Sequence, residues 1–113
     1  MTALTRPHDV SARTLAAIAA AAPALDAQPA FPHAAFEALA ADGALALTVR
    51  AEETVSRARE WAAVRAVARA DGSVGRLFEG HLNAVGRVAV AAPEPLRSAE
   101  LAAVREGSLR LGV

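Results

Sequence analysis

One stripe of apolar side chains governs what this chain can fold into. Val74, Leu77, Phe78, His81, Leu82, Val85 and Ala89 recur at the three- and four-residue spacing that puts side chains on one face of a helix. Asp71-Gly72-Ser73, just before the stripe, is a helix-start signal. The expected helix runs from about Ser73 to Val90. Three glycines, Gly75, Gly80 and Gly86, interrupt it. Each costs about 1 kcal/mol relative to alanine, so they point to close approach by another backbone.

The remaining segments also read as helices. Ser11 can cap a helix through about Ala21, with Leu15, Ile18, Ala19 and Ala22 on one face, and Pro23 is expected to end it. Residues 23–30 then read as a connection. A second helix follows Phe31-Pro32, with Phe31 and Phe36 placed for a hydrophobic staple and Gly43 as its stop. The apolar run Ala44–Val49 fits a strand or an extended link packed on helices. Glu52 and Glu53 favour the start of a third helix ending near Ala70, with Glu53 and Arg57 at pairing distance. Its stripe is Trp61, Val64 and Ala68. Pro93-Glu94-Pro95 breaks the fourth helix and starts a fifth, ending near Glu106-Gly107. The expected fold class is all-α, a bundle of about five helices with a short extended C-terminal tail.

With 113 residues there is room for one domain. Formal net charge is zero and the 12 basic residues are all arginine. No bulk electrostatic signature of nucleic-acid or anionic-membrane binding exists. Cysteine is absent, which excludes disulfides and thiolate catalysis. No run of about 18 strongly apolar residues occurs, so no membrane span is expected. The first residues do not form a secretory signal, and the expected location is cytoplasmic.

Candidate chemistry is sparse. His81 on the apolar stripe reads as a core histidine satisfied by a backbone carbonyl or as a pocket wall; the apolar setting favours the first. Glu79, Asn83, Arg76 and Arg87 read as a polar face, and Arg57, Arg65 and Arg69 as a solvated one. His33 and Glu37 stand four apart, but zinc requires further ligands and no cluster supplies them, so no metal site is assigned. His8 falls in a terminal tail. Trp61 reads as packing in a helical core rather than as a stacking platform. Gly72-x-x-Gly75 follows no strand and is not a dinucleotide fingerprint. No catalytic residue and no cofactor-binding residue is assigned.

Three segments together carry a family resemblance. Phe31–Val49 is an aromatic-containing helix ending in Asp-Gly before a Leu-x-Leu segment. Arg69–Val85 leads from Ala-Arg-x-Asp into the striped helix, and Pro93–Val113 ends in Leu-Arg-Leu-Gly-Val. In that order they resemble the N-terminal helical domain of the acyl-CoA dehydrogenase family of flavoenzymes. The resemblance implies a helical domain over 1–108, with 109–113 as the start of a middle β domain that holds the flavin. It implies α,β-desaturation of an acyl-CoA thioester in the parent enzyme, with FAD as electron acceptor and a catalytic glutamate outside these 113 residues. Flavin monooxygenase-like members of the family fit equally. Residues Phe78, His81, Leu82 and Val85 would form a substrate-cavity wall. No cofactor is expected on this chain alone. The partners implied are the flavin and C-terminal domains, or a second copy of the chain in an oligomer. One departure is that Arg50-Ala51-Glu52-Glu53 replaces the family's glycine-rich loop. The alternative from another class is a free-standing helical interaction module without catalysis.

Two expectations about the surface follow. Alanine-rich helices cannot cover all their apolar faces, so a contiguous exposed patch that includes some of Phe78, Leu82, Val85 and Leu111 is expected. The tail Leu109–Val113 is expected to be poorly anchored, because a lone strand has no sheet to join.

Overall fold

Residues 9–49 and 55–112 are described by a computed structural model of the chain. The chain is all-helical, and no strand occurs among the described residues. Five α-helices, α1 (Ala12–Ala27), α2 (His33–Ala41), α3 (Arg57–Ala70), α4 (Gly72–Ala91) and α5 (Leu96–Glu106), are joined by short connections. A 3-10 segment, Ala44–Val49, lies between α2 and α3. The molecule measures 42 × 42 × 21 Å.

The helix starts obey local chemistry. Ser11 Oγ accepts the Thr14 amide at 3.1 Å to open α1. Asp42 at the end of α2 accepts the Ser11 amide at 2.8 Å, which ties the two helices together. Phe31 and Phe36 form the expected staple, with ring centroids 5.1 Å apart. Ser56 opens α3 by accepting the Arg59 amide. The start expected at Glu52-Glu53, and the Glu53–Arg57 pair, lie outside the described residues, as does His8. Asp71 closes α3 and opens α4, its carboxylate accepting the Ser73 and Val74 amides at 2.8 and 3.3 Å. Glu94 accepts from the Ser98 hydroxyl and amide, with Arg97 alongside. Those contacts hold its carboxyl below the usual carboxylate range.

Three expectations are corrected. Pro23 does not end α1; the helix continues to Ala27, and residues 28–32 make the connection. Proline there removes one amide, whose partner would be the Ala19 carbonyl. Ala19 is exposed, so water can take that carbonyl. Ala44–Val49 is neither strand nor extended link. Its first four residues are all buried, packed among α2, α4 and α5. A strand there would have no neighbour to pair with, whereas a 3-10 turn satisfies part of its own backbone.

The third correction concerns Trp61, which is 60% exposed rather than part of the core. The buried line of α3 is Ala63 and Val67, one position off the expected stripe. The close approach of α3 to α4 is made by Ala68, opposite Gly75.

Helix α4 organises the core. Val74, Phe78 and Leu82 join Ile18, Phe36, Leu39, Leu45, Leu47 and Val67 in the main cluster. Farther along, Val85 joins Ala46 and Val104 in a second cluster, flanked by Leu101, Leu109 and Leu111. The close approaches expected at the glycines occur at two of the three. A Cβ on Gly75 would lie 2.6 Å from the Cα and Cβ of Ala68 on α3, and Gly80 meets the backbone of Gly112. Gly86 meets only the Thr48 side chain at an ordinary distance.

Gly75→Ala should therefore lower stability by about 1–3 kcal/mol, the usual range for an overpacked site, despite alanine's better helix propensity. Gly72→Ala, at a site with nothing within 4 Å, should leave stability unchanged or slightly raised. Urea unfolding of the two variants checks the contrast. Equal stability would mean that the α3–α4 corner is looser than described.

Candidate functional site

The polar centre of the bundle is His81. Its ring is fully buried, between the two apolar clusters. Nε2 lies 2.8 Å from the Leu45 carbonyl of the 3-10 segment, and Nδ1 lies 3.0 Å from the Leu111 amide of the tail. A carbonyl can only accept and an amide N–H can only donate. The geometry therefore sets a neutral imidazole with its proton on Nε2. Burial holds its pKa below the ordinary histidine value; the Leu45 carbonyl opposes that shift, while Arg110 adds to it. Both nitrogens are engaged and the ring has no exposed surface. It can hold backbone in place, but it offers no free lone pair to a substrate. The core-histidine reading holds.

The other residues singled out as a cavity wall are buried in the chain's own bundle. Phe78 and Val85 are 0% exposed and Leu82 is 3% exposed. The exposed apolar patch expected around them does not form, because the 3-10 segment, α3, α5 and the tail cover this face of α4. Leu111 is half-buried. The tail itself is anchored, contrary to expectation. It docks by backbone contact and apolar packing rather than by joining a sheet: Leu111 bonds to His81, Gly112 packs on Gly80, and Leu109 and Leu111 pack on the second cluster. Exposed large apolar groups lie elsewhere, at Trp61, Val90 and Leu96.

Hollows mark the surface formed by the described residues. One of about 510 Å³ lies between the end of α1, the 28–32 connection and the start of α4. One of about 500 Å³ lies between α1 and α2, walled by Ile18, Ala21, Leu25, Phe31 and Ala35. A smaller one of about 180 Å³ lies beside Trp61, bordered by Arg57, Arg65, Glu79 and Asn83. The first touches the N-terminus of α4, where an anion could in principle bind. Asp71 already occupies the Ser73 and Val74 amides there, so a phosphate would meet a carboxylate instead of free donors. The second is apolar and has few polar groups to fix the orientation of a ligand.

Polar candidates resolve as surface and scaffold. Arg57, Arg65, Arg69, Arg76, Glu79, Asn83 and Arg87 are exposed or nearly so, as expected. His33 packs edge-on to Phe31 at 4.7 Å, and no group of three potential metal-ligating side chains occurs among the described residues. An ion pair not anticipated from the sequence joins Asp9 to Arg59 through two contacts of 2.8 and 2.7 Å. Its partners stand 50 residues apart, and no local pattern could have paired them. No described helix is long and apolar enough to cross a membrane. Comparison with protein families, with curated proteins and with solved structures finds no match to this chain.

The buried neutral imidazole makes stability depend on pH. Its folded pKa lies below the ordinary value of 6.5, so the unfolded chain binds the proton more readily. Its contribution is complete above that value and is lost as pH falls through the folded pKa. His81→Phe should remove this dependence. It should also cost several kcal/mol, because it strands a buried carbonyl and a partly buried amide at about 1–3 kcal/mol each. Urea unfolding of both proteins at a series of pH values, starting above neutrality, checks this. A wild-type curve that stays flat until the carboxylates titrate would contradict it.

Proposed function

We propose that this chain is a non-catalytic helical domain of the kind found at the N-terminus of acyl-CoA dehydrogenase-like flavoproteins, acting as a scaffold for domain contacts. One observation supports the reading: the three resembling segments fall, in order, on helical elements of an all-helical chain. Phe31–Val49 forms helix α2 and the buried apolar link after it. Arg69–Val85 forms the Asp71 corner and the central helix. Pro93–Val113 supplies the last helix and, through Gly112, an irregular tail beyond it. The flavin, the acyl-CoA thioester and the catalytic glutamate belong to other parts of such an enzyme. No chemical step is assigned to residues of this chain. Because Phe78, His81, Leu82 and Val85 are covered by their own bundle, α4 supports a substrate cavity from behind rather than lining it. Cytoplasmic location and assembly with flavin and C-terminal domains, or with a second copy, belong to the same proposal.

A second reading, a free-standing interaction module, is favoured by that same burial. A domain that covers its own apolar stripe folds without a neighbour. It leaves Trp61 exposed as a contact residue, and tryptophan is enriched where binding energy concentrates.

Translation of the genomic DNA beyond Val113 separates the two. A frame continuing into a strand-rich segment and a second helical domain supports the flavoprotein reading; a stop codon with no adjacent flavoprotein gene sinks it. The purified chain should show no flavin absorption band in the visible after incubation with FAD and desalting. Stoichiometric retention of FAD would overturn the assignment of the flavin to another domain.

A further inference from the structure

The two hydrogen bonds of His81 respond differently to a proton. Nε2 donates to the Leu45 carbonyl at 2.8 Å, and it carries its hydrogen in both the neutral and the charged ring. Nδ1 accepts from the Leu111 amide at 3.0 Å, a role it has only while unprotonated. Protonation leaves the first bond intact and sets two donors against each other in the second. We propose that His81 is a proton-operated latch: neutral, it holds residues 109–112 on α4; protonated, it releases them and uncovers the apolar cluster around Val85 and Val104 while the bundle stays folded.

The tail is held lightly enough for this. Among the described residues, the Leu111 amide makes the one hydrogen bond between residues 109–112 and α4; Arg110 bonds locally, to the Gly107 carbonyl. What remains is the half-buried packing of Leu109 and Leu111 and the contact of Gly112 with Gly80. Few contacts of this kind allow local opening below the cost of global unfolding. The cluster beneath, Ala46, Val85 and Val104, is fully apolar.

The surrounding charges favour release. The 3-10 segment carries no titratable side chain. Helix α5 brings Arg105, whose guanidinium is engaged by the Val49 carbonyl. The tail brings Arg110, whose charge acts on the ring and disfavours its protonation. A charged His81 would thus repel a cation carried by the segment it holds. The inference rests on these contacts alone and not on the flavoprotein reading.

Nuclear magnetic resonance of the full chain labelled with ¹⁵N, from about pH 8 to about pH 5, brackets the histidine range and tests the latch. The His81 ring shifts give its titration midpoint. Hydrogen exchange, corrected for the intrinsic effect of pH, gives the protection of individual amides. The Leu111 amide should be protected at the upper pH and lose at least about tenfold protection at the His81 midpoint, with the Phe78 and Val67 amides unchanged. His81→Asn offers a side-chain oxygen that cannot be protonated in this range, and should keep the tail closed throughout. The wild-type titration decides alone if that variant does not fold. A Leu111 amide unprotected at the upper pH, still protected after His81 has titrated, or lost together with the Phe78 amide, would overturn the proposal.

Discussion

The bond between His81 Nε2 and the Leu45 carbonyl is what the rest of the structure depends on. It places a short 3-10 segment, and so its exposed backbone polarity, in the middle of an alanine-rich bundle. A 3-10 turn leaves carbonyls without internal partners, and burial would make each of them costly. His81 takes one and Arg105 takes the Val49 carbonyl at 2.9 Å. With those groups satisfied, Leu45 and Leu47 fill the main cluster while Ala46 faces the second. A chain with three phenylalanines obtains a core by wrapping helices around its own apolar link.

Both nitrogens of His81 hold backbone, and the face of α4 that carries Phe78, Leu82 and Val85 is covered by the chain's own elements. What stays open lies at the periphery, in the apolar groove between α1 and α2 and in the exposed face around Trp61. Such surfaces suit contact with other protein.

Much of the fold was legible because it is written locally. Serine and aspartate caps, the Phe31–Phe36 staple, the Gly107 stop and the α4 stripe each act within one or two turns, so their spacing names their role. Failures came where distant partners decide. Pro23 looked like a terminator because its exposed setting, which lets water relieve the lost bond, is a tertiary fact. Trp61 joined a stripe with Val64 and Ala68 because periodicity alone cannot tell which of two adjacent lines is buried. Ala44–Val49 has the composition of a strand, and only its position among helices makes it a 3-10 plug. For His81, the sequence supplied the setting and the expected carbonyl partner. The second bond, to Leu111 thirty residues away, had no local signal, and the tail was accordingly expected to be loose.

The protonation state of the His81 ring tests this account most directly. Its ¹⁵N resonances distinguish a protonated from an unprotonated nitrogen, and so identify both tautomer and charge. The account predicts a neutral ring at neutral pH, with the proton on Nε2 and an unprotonated, hydrogen-bonded Nδ1. A charged imidazolium at that pH, or a neutral ring with its proton on Nδ1, would contradict it, because neither can serve the Leu45 carbonyl and the Leu111 amide together.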